Sequence, residues 1–378
     1  MEKILLSVPR VSAYTVPTDA PESDGTLEWD STTLVLVEIE AGGRNGIGYS
    51  YADVSTAVLI RDLLGTVIEG RDAMDIGGAW SAMLARIRNL GRPGIASMAV
   101  SAVDNALWDL KAKLLDLPLF KLLGAVREAA PVYGSGGFTS YTDARLHEQL
   151  AGWVAEGLMM AKIKIGREPQ RDIARVGVAR QAVGDDVQLF VDANGAYSRK
   201  QALNLARSFA EFDVAWFEEP VPSDDLEGLR LMRDRMPPEI EVAAGEYGYD
   251  AAYFRRMLQA GAVDVLQVDA TRCAGITGFL QASALCEAFD LPLSAHCAPA
   301  LHAHPACASS PLRHVEYFHD HVRIESMLFD GVLNPVGGAL RPDPSRPGMG
   351  LEFRHQDAER YCVFAKAGLD PPRGSKAG

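Results

Sequence analysis

Two lysines interrupt an apolar stretch of the sequence, "MMAKIKIG", which runs from position 159 to 166. Side chains of a strand point alternately to opposite faces, so Lys162 and Lys164 share one face and Ile163 lies on the other. On a solvated edge strand such a pair would be an ordinary protection against aggregation. Inside a protein, each ammonium would lower the pKa of the other, as a general base requires.

Three carboxylates follow these lysines at a regular spacing. Lys164, Asp192, Glu218 and Glu246 succeed one another at intervals of 26 to 28 residues, and each closes a short β-rich run. Carboxylates crowded at one point repel each other unless a cation lies between them. A hard divalent cation with oxygen ligands, foremost Mg²⁺, satisfies that condition and leaves open positions for water and substrate oxygen.

A second acid–base pair follows further along the chain. Asp269 and His296 close the next two β-rich runs, and Glu316 closes the last. A carboxylate bonded to an imidazole fixes its tautomer and favours its protonated form. The sequence thus predicts an acid or base on each face of a ligand. The run "CAPALHAHP" after His296 gives no interpretable substrate pattern.

The elements that position these residues alternate between strand and helix patterns from about residue 131 onward. Eight strands are predicted, at "PVYGSGGF", "MAKIKIG", "VQLFVDANG", "VAWFEEP", "EVAAGE", "VDVLQVD", "LPLSAHC" and "HVEYF". A parallel α/β barrel fits better than an open sheet, because no glycine-rich dinucleotide fingerprint follows the first strand. In such barrels the active site lies where the strands end.

The first part of the chain predicts a separate α+β unit, with two strands followed by helical patterns. Between those strands lies "PTDAPESDGTLEWD", residues 17–30, which is polar and rich in turn-forming residues. A long excursion of this kind is usually a lid or a disordered loop.

Composition narrows the classes of partner. The net charge is -13 over 378 residues, which argues against nucleic acid or an anionic membrane surface as the main partner. The five cysteines are odd in number and include no close metal-binding pair, so reduced thiols are expected. No secretory leader or bilayer-spanning run is evident, and we expect a cytoplasmic protein.

At these residues the sequence resembles the enolase superfamily, and specifically its mandelate racemase subgroup, over essentially the whole chain. The motifs are "KIK", "VDAN", "FEEP", "AGE", "QVDATRCAGIT", "SAH" and "VEYF", in order on seven strands. The resemblance implies a modified TIM barrel, (β/α)7β, at residues 126–325. It further implies an α+β capping domain at 1–125 with a lid near 17–31, and a C-terminal segment, 326–378, that returns to the cap.

The same resemblance implies the roles of the residues. Lys164 is the base, and Lys162 assists it and contacts the substrate carboxylate. Asp269 and His296 form the opposite dyad, while Asn194 and Glu316 bind substrate. The metal is one Mg²⁺ per subunit, held by Asp192, Glu218 and Glu246.

The chemistry implied is removal of the proton α to a carboxylate. The polar cover suits a polyhydroxylated chain, which favours a sugar-acid dehydratase giving a 2-keto-3-deoxy acid. A racemase, epimerase or cycloisomerase of a 2-hydroxy acid stays open, as does a catalytically silent metal-binding homologue. We expect a small carboxylate as ligand and a homo-oligomer as the assembly.

Overall fold

The N-terminal part of the chain is an antiparallel sheet covered by helices. The computed structural model describes residues 3–365. Its first strands are β1 (Arg10–Ser23), β2 (Glu28–Ala41) and β3 (Arg44–Tyr51). The helices that follow are α1 (Val54–Leu59), a π-helical turn at Ile60–Leu64, α2 (Gly65–Ile68), α3 (Ile76–Arg86), α4 (Ile95–Leu114) and α5 (Leu119–Leu122).

Helix α4 lies directly against β3 and holds this unit together. Gly48 makes the close approach possible, since a Cβ there would lie 2.2 Å from the Ala106 nitrogen and 2.4 Å from the Ala102 oxygen. The helix is rich in alanine and valine, so its buried face can come this near to the sheet. A second core forms between the sheet and the helices, distinct from the core of the barrel.

The segment at 17–30 is not the irregular loop expected from the sequence. Strand β1 continues to Ser23 and β2 begins at Glu28, so the two form one long hairpin with a register irregularity between Pro17 and Glu22. The turn is fixed by Asp24, whose carboxylate accepts hydrogen bonds from the Thr26 and Leu27 amides at 2.6 and 2.7 Å. The Asp24 carboxylate thus gives the hairpin tip a defined turn, where the sequence left a lid or a disordered loop open.

The hairpin tip is docked on the second half of the molecule. The Thr139 amide donates to the Ser23 carbonyl at 2.8 Å, and the Thr139 hydroxyl donates to the Asp24 carbonyl at 2.8 Å. Gly25 fits so closely that a Cβ would lie 2.4 Å from the Ala193 oxygen and 2.7 Å from the Ile165 oxygen. The cover is therefore held by backbone contacts at the ends of two barrel strands.

The second half is the predicted closed barrel. Eight parallel strands pair in sequence, and pairing of the last with the first closes the ring. They are β4 (Ala130–Gly136), β5 (Met160–Lys164), β6 (Gln188–Asp192), β7 (Val214–Glu218), β8 (Glu241–Ala244), β9 (Val265–Val268), β10 (Leu293–Ala295) and β11 (Leu312–Phe318). All eight lie at the predicted runs, and the fold class is confirmed.

Seven helices connect these strands, which gives the (β/α)7β pattern. They are α6 (Asp143–Ala155), α7 (Asp172–Val183), α8 (Arg199–Ala210), α9 (Leu226–Arg235), α10 (Ala251–Gln259), α11 (Gly275–Ala288) and α12 (Pro299–Ala308). Several begin at a side-chain cap of the expected type, as where the Ser198 hydroxyl and the Gln201 side chain form a capping box at α8.

The barrel interior separates an apolar floor from a charged mouth. Tyr133, Phe190 and Trp216 pack together inside the ring, with the rings of Phe190 and Trp216 stacked at 5.3 Å. Two residues further along two of these strands, the same face carries Asp192 and Glu218. Because side chains alternate along each strand, the carboxylates lie directly above an aromatic layer. This layer separates them from water at the other end of the barrel.

The end of the described chain returns to the first sheet. After β11 come α13 (His319–Leu328), β12 (Phe329–Asp330), β13 (Ala339–Leu340), β14 (Glu352–Phe353), α14 (His355–Ala358), a 3₁₀ turn at Glu359–Tyr361 and β15 (Cys362–Ala365). Strand β15 pairs with β1. Residues 366–378 of the predicted C-terminal segment lie outside the described residues. Within 3–365, no helix has the length and apolarity needed to cross a membrane.

We predict that Gly25→Ala loosens the hairpin without unfolding the protein. Its methyl group would meet two backbone oxygens, and overpacking of this kind costs about 1 to 3 kcal/mol. Amide hydrogen exchange over residues 22–29 should accelerate, while the melting temperature changes little. Gly77→Ala is the control, because a Cβ at Gly77 meets nothing within 4 Å. Unchanged exchange in Gly25→Ala would contradict the docking described above.

Candidate functional site

The candidate site is a cavity of about 460 Å³ between the barrel mouth and the hairpin. Strand register brings the predicted residues together, since Lys164 lies opposite Asp192 and Asp192 lies opposite Glu218. Five predicted residues line the cavity from the barrel side, together with the neighbouring Arg272; the five are Lys164, Asn194, Glu246, His296 and Glu316. All nine predicted site residues thus lie at or just below this mouth.

Both lysines lie in the protein interior, which excludes the alternative of a solvated edge strand. Lys162 is completely buried and Lys164 is 5% exposed. The Lys162 ammonium lies 2.6 Å from Glu218 and 2.8 Å from Glu316. That of Lys164 lies 2.5 Å from Asp192 and donates to the Asn194 side chain at 3.2 Å.

The expected fall in the lysine pKa is wrong for this structure. Burial would lower the pKa of Lys164, but the carboxylates of Asp192, Glu246 and Glu218 together outweigh burial and the neighbouring lysine, and the pKa is raised. The pKa of Lys162 is likewise raised, since Glu218 and Glu316 outweigh its burial. Sequence spacing showed the like charge on the same strand, whereas the nearest charges come from other strands.

The three predicted metal ligands are present but are not gathered around one point. Among the described residues, Asp192, Glu218 and Glu246 do not bring three carboxylate oxygens within 4.8 Å of one another. Each is instead paired with a cationic group, Asp192 with Lys164, Glu218 with Lys162 and Glu246 with His296.

The donor set nevertheless fits a hard divalent cation. Four cationic groups, counting a protonated imidazole, face six buried carboxyls, so the acids outnumber the cationic groups by two; the carboxyls are Asp192, Glu218, Glu219, Glu246, Asp269 and Glu316. One oxygen each of Glu218 and Glu219 is buried without a hydrogen-bond partner. Unpaired buried carboxylate oxygens are costly, and oxygen-preferring cations are the groups that satisfy them.

Glu219 is a site residue to which sequence reasoning gave no role. Burial, with the carboxylates of Glu246 and Asp192, raises the pKa of Glu219 well above its ordinary range. The signal was available in "FEEP", where Glu219 directly follows Glu218. Its φ of 39° turns it out of the strand direction, so both adjacent acids reach the mouth.

The predicted dyad is present on the other side of the ring. The His296 Nδ1 atom lies 2.9 Å from the Asp269 carboxylate, and Nε2 lies 2.9 Å from Glu246. Burial opposes the charged imidazole, but Cys297 and the carboxylates of Glu246 and Glu316 outweigh it and raise the pKa of His296 well above its ordinary value. The raised pKa favours the protonated imidazole, which is the form that donates a proton.

Glu316 is the best-anchored acid of the mouth. One oxygen accepts from the Ser135 hydroxyl at 2.6 Å and lies 2.8 Å from Lys162. The other accepts from the Cys297 amide at 3.0 Å. Burial would raise the pKa of Glu316, but Lys162, His296 and Lys164 together outweigh it and the pKa is lowered. An ionised Glu316 accepts hydrogen bonds and needs a proton before it can donate one.

The run after His296 acquires a structural explanation. The Ala270 amide donates to His302 Nε2 at 2.8 Å, and His302 Nδ1 lies 2.8 Å from the Cys297 carbonyl. His302 thus ties the ends of β9 and β10 together as a neutral, buried bridge, and burial lowers its pKa. His304 donates to the Met349 carbonyl at 3.0 Å and lies away from the mouth.

Other residues that line the cavity were given no role from the sequence. Arg272 follows Asp269 by three positions and lies 3.4 Å from Glu246 and 3.6 Å from Asp269. The hairpin contributes Leu27 and Trp29 beside Asp24 and Thr32, so the cover is mixed rather than polar throughout. These residues converge only through docking of two distant parts of the chain, which no local pattern shows.

The chain is similar to known proteins over most of its length. Residues 13–124 match the model of the mandelate racemase/muconate lactonizing enzyme N-terminal domain, and residues 145–358 match the enolase C-terminal domain-like model. The chain is 33% identical to 3,6-anhydro-alpha-L-galactonate cycloisomerase of Streptomyces coelicolor, over 94% of this chain and 98% of that protein.

Two solved structures extend the comparison. A mandelate racemase/muconate lactonizing enzyme-like protein from Rubrobacter xylanophilus is 55% identical, with a TM-score of 0.93 over 96% of this chain and 100% of that one. L-talarate dehydratase from Polaromonas sp. JS666, complexed with Mg and L-glucarate, is 31% identical, with a TM-score of 0.87 over 96% and 98%. The chain therefore belongs to the enolase superfamily, within its mandelate racemase subgroup.

Proposed function

We propose that this protein removes the proton α to the carboxylate of a sugar acid and then expels the β-hydroxyl, acting as a Mg²⁺-dependent dehydratase. One observation carries the proposal: Lys164 and His296 reach the same cavity from β5 and β10, on different sides of the ring. A ligand between them meets one proton-transfer group on each face.

The roles follow from the groups present. Lys164 removes the α-proton, and His296, held by Asp269, donates a proton to the departing hydroxyl, which leaves as water. Lys162 and Asn194 contact the substrate carboxylate. Glu316 binds that carboxylate too, once it has taken up the proton that Lys162 now disfavours.

We further propose that Asp192, Glu218 and Glu246 hold one Mg²⁺ per subunit. When bound, the cation would take over the carboxylates that now hold the two lysine ammoniums and would add positive charge beside the substrate carboxylate. The paired carboxylates explain why Lys164 is protonated in their present arrangement, and a neutral Lys164 is the form that accepts a proton.

The lining of the cavity favours a substrate with a single carboxylate. Among the described residues that line it, the permanent cations are Lys164 and Arg272, and both are paired with acids of the mouth. The cover adds Asp24 and Asp53 together with serine and threonine hydroxyls. A second carboxylate on the distal end would meet acids without a free cation, whereas hydroxyl groups would find partners.

A second candidate reaction has a specific observation in its favour. The relative at 33% identity is named as a cycloisomerase of an anhydro sugar acid. The same Lys164–His296 pair could expel a ring ether oxygen at the β-carbon in place of a hydroxyl. The leaving group would then stay attached, so the product would be an isomer of the substrate. Racemisation or epimerisation requires instead that a proton return to the α-carbon.

We propose residues 1–125 as the capping domain, with the hairpin at 17–31 as its lid, 126–325 as the catalytic barrel and 326–378 as the returning segment. A homo-oligomeric assembly and a cytoplasmic location are likewise predictions.

The reaction is tested by a substrate screen with Mg²⁺ present. We expect one or more aldonates to give a 2-keto-3-deoxy acid with loss of one water, followed by mass spectrometry and by NMR. Aldarates of matched stereochemistry are the control for the single-carboxylate assignment, and anhydro-aldonates test cycloisomerisation. Inversion at the α-carbon without water loss would establish the racemase alternative. Absence of α-proton exchange on every acid would support the silent homologue.

The metal assignment is tested by stability. Mg²⁺ at 100 times its dissociation constant should raise the free energy of unfolding by about 2.7 kcal/mol, because only the folded protein has the site. Asp192→Asn should lose most of this gain, whereas Asp185→Asn, at an exposed position of the α7–β6 connection, should keep it. Full turnover after chelation, or an equal Mg²⁺ effect in both variants, would refute the assignment.

A further inference from the structure

Three donor atoms of different chemistry lie together at the mouth, on the His296 side. They are His296 Nε2, Cys297 Sγ and Glu316 Oε2. The sulfur lies 3.3 Å from the imidazole nitrogen and 3.4 Å from the carboxylate oxygen, and the nitrogen and oxygen are 3.6 Å apart. All three residues are buried and all three line the cavity.

This triangle has the dimensions of one face of a tetrahedral zinc site. With Zn–S of about 2.3 Å and Zn–N and Zn–O of about 2.0 to 2.2 Å, ideal tetrahedral angles place the ligand atoms about 3.4 to 3.6 Å apart. The observed separations of 3.3, 3.4 and 3.6 Å lie close to those values. A cation on the cavity side of the triangle would keep a fourth position open.

The surroundings orient each donor as a ligand. Asp269 lies 2.9 Å from His296 Nδ1, which directs Nε2 toward the cavity in the way carboxylates support zinc-bound histidines. Ser135 and Lys162 hold the other oxygen of Glu316 and leave Oε2 facing the sulfur. Cys297 has a φ of 52°, a backbone state that fixes where its thiol points.

We propose that His296, Cys297 and Glu316 form a second cation site, specific for soft divalent cations such as Zn²⁺ and Cd²⁺. Thiol and imidazole donors select these cations, whereas the all-oxygen set of Asp192, Glu218 and Glu246 suits Mg²⁺. Binding displaces two protons to solvent, one from the Cys297 thiol and one from His296 Nε2, and takes the imidazole away from Glu246. The site is therefore inhibitory, and that consequence alone rests on the proposed function.

Binding is tested directly with Cd²⁺, because a thiolate–Cd²⁺ bond gives an ultraviolet charge-transfer band that an oxygen site lacks. The titration uses the Cys362→Ser protein, since Cys362 is the exposed thiol. We expect one equivalent of Cd²⁺ to produce the band in the presence of excess Mg²⁺. Adding Cys297→Ser should abolish it, while Cys273→Ser, at another buried thiol, should leave it unchanged.

A second variant tests whether loss of the band in Cys297→Ser results from misfolding and not from loss of a ligand. His296→Asn removes a different ligand of the same site and should weaken Cd²⁺ binding more than about tenfold, with circular dichroism unchanged. A band that survives Cys297→Ser, or one that Mg²⁺ removes in competition, would overturn the proposal. These results do not depend on turnover, so failure here is distinguishable from failure of the dehydratase assignment.

Inhibition is then measured on the best substrate of the screen. Zn²⁺ should inhibit at saturating Mg²⁺, and Cys297→Ser should need more than about tenfold more Zn²⁺ for the same fractional inhibition. Inhibition that Mg²⁺ relieves fully, with no difference between the two proteins, would place Zn²⁺ in the carboxylate set and contradict an inhibitory second site.

Discussion

The structure depends on a buried group of carboxyls that outnumber the cations among them. Six acids and four cationic groups lie at the barrel mouth above an aromatic floor, so the acids are in excess and poorly solvated. Removing charge from water is expensive unless it is paired, and here each cation is already paired with at least one acid. The excess of acids over cationic groups favours the binding of a small cation.

The barrel makes this concentration of charge possible. Parallel strands end at one rim, and alternation along each strand turns every second side chain inward. Apolar residues at the first inward position, such as Phe190 and Trp216, fill the interior and support Asp192 and Glu218 at the next. The hairpin covers the mouth, where it is held by the close fit of Gly25 and by hydrogen bonds from Thr139 of the barrel half. The charged group is therefore covered on its open side as well.

Much of this architecture could be predicted from the sequence, for a physical reason. The strands and the shared face of Lys162 and Lys164 follow from local alternation, and their inward direction follows once a closed barrel is predicted. The rim position of Asp192, Glu218 and Glu246 follows from their spacing. The hairpin could not be predicted, because its order depends on contacts with Thr139, over a hundred positions away. The direction of the Lys164 pKa shift was missed for a similar reason, since the deciding carboxylate comes from a neighbouring strand.

The division of labour between Lys164 and His296 is tested most directly by isotope exchange in D₂O, on the best substrate of the screen with Mg²⁺ present. If Lys164 removes the α-proton and His296 assists the leaving group, His296→Asn should incorporate deuterium at the α-carbon of recovered substrate and form little keto acid. Lys164→Ala should do neither. A stereoisomer that presents its α-proton to His296 would exchange the roles but would still separate the two variants. Equal behaviour of both variants, in exchange and in product, would contradict the account.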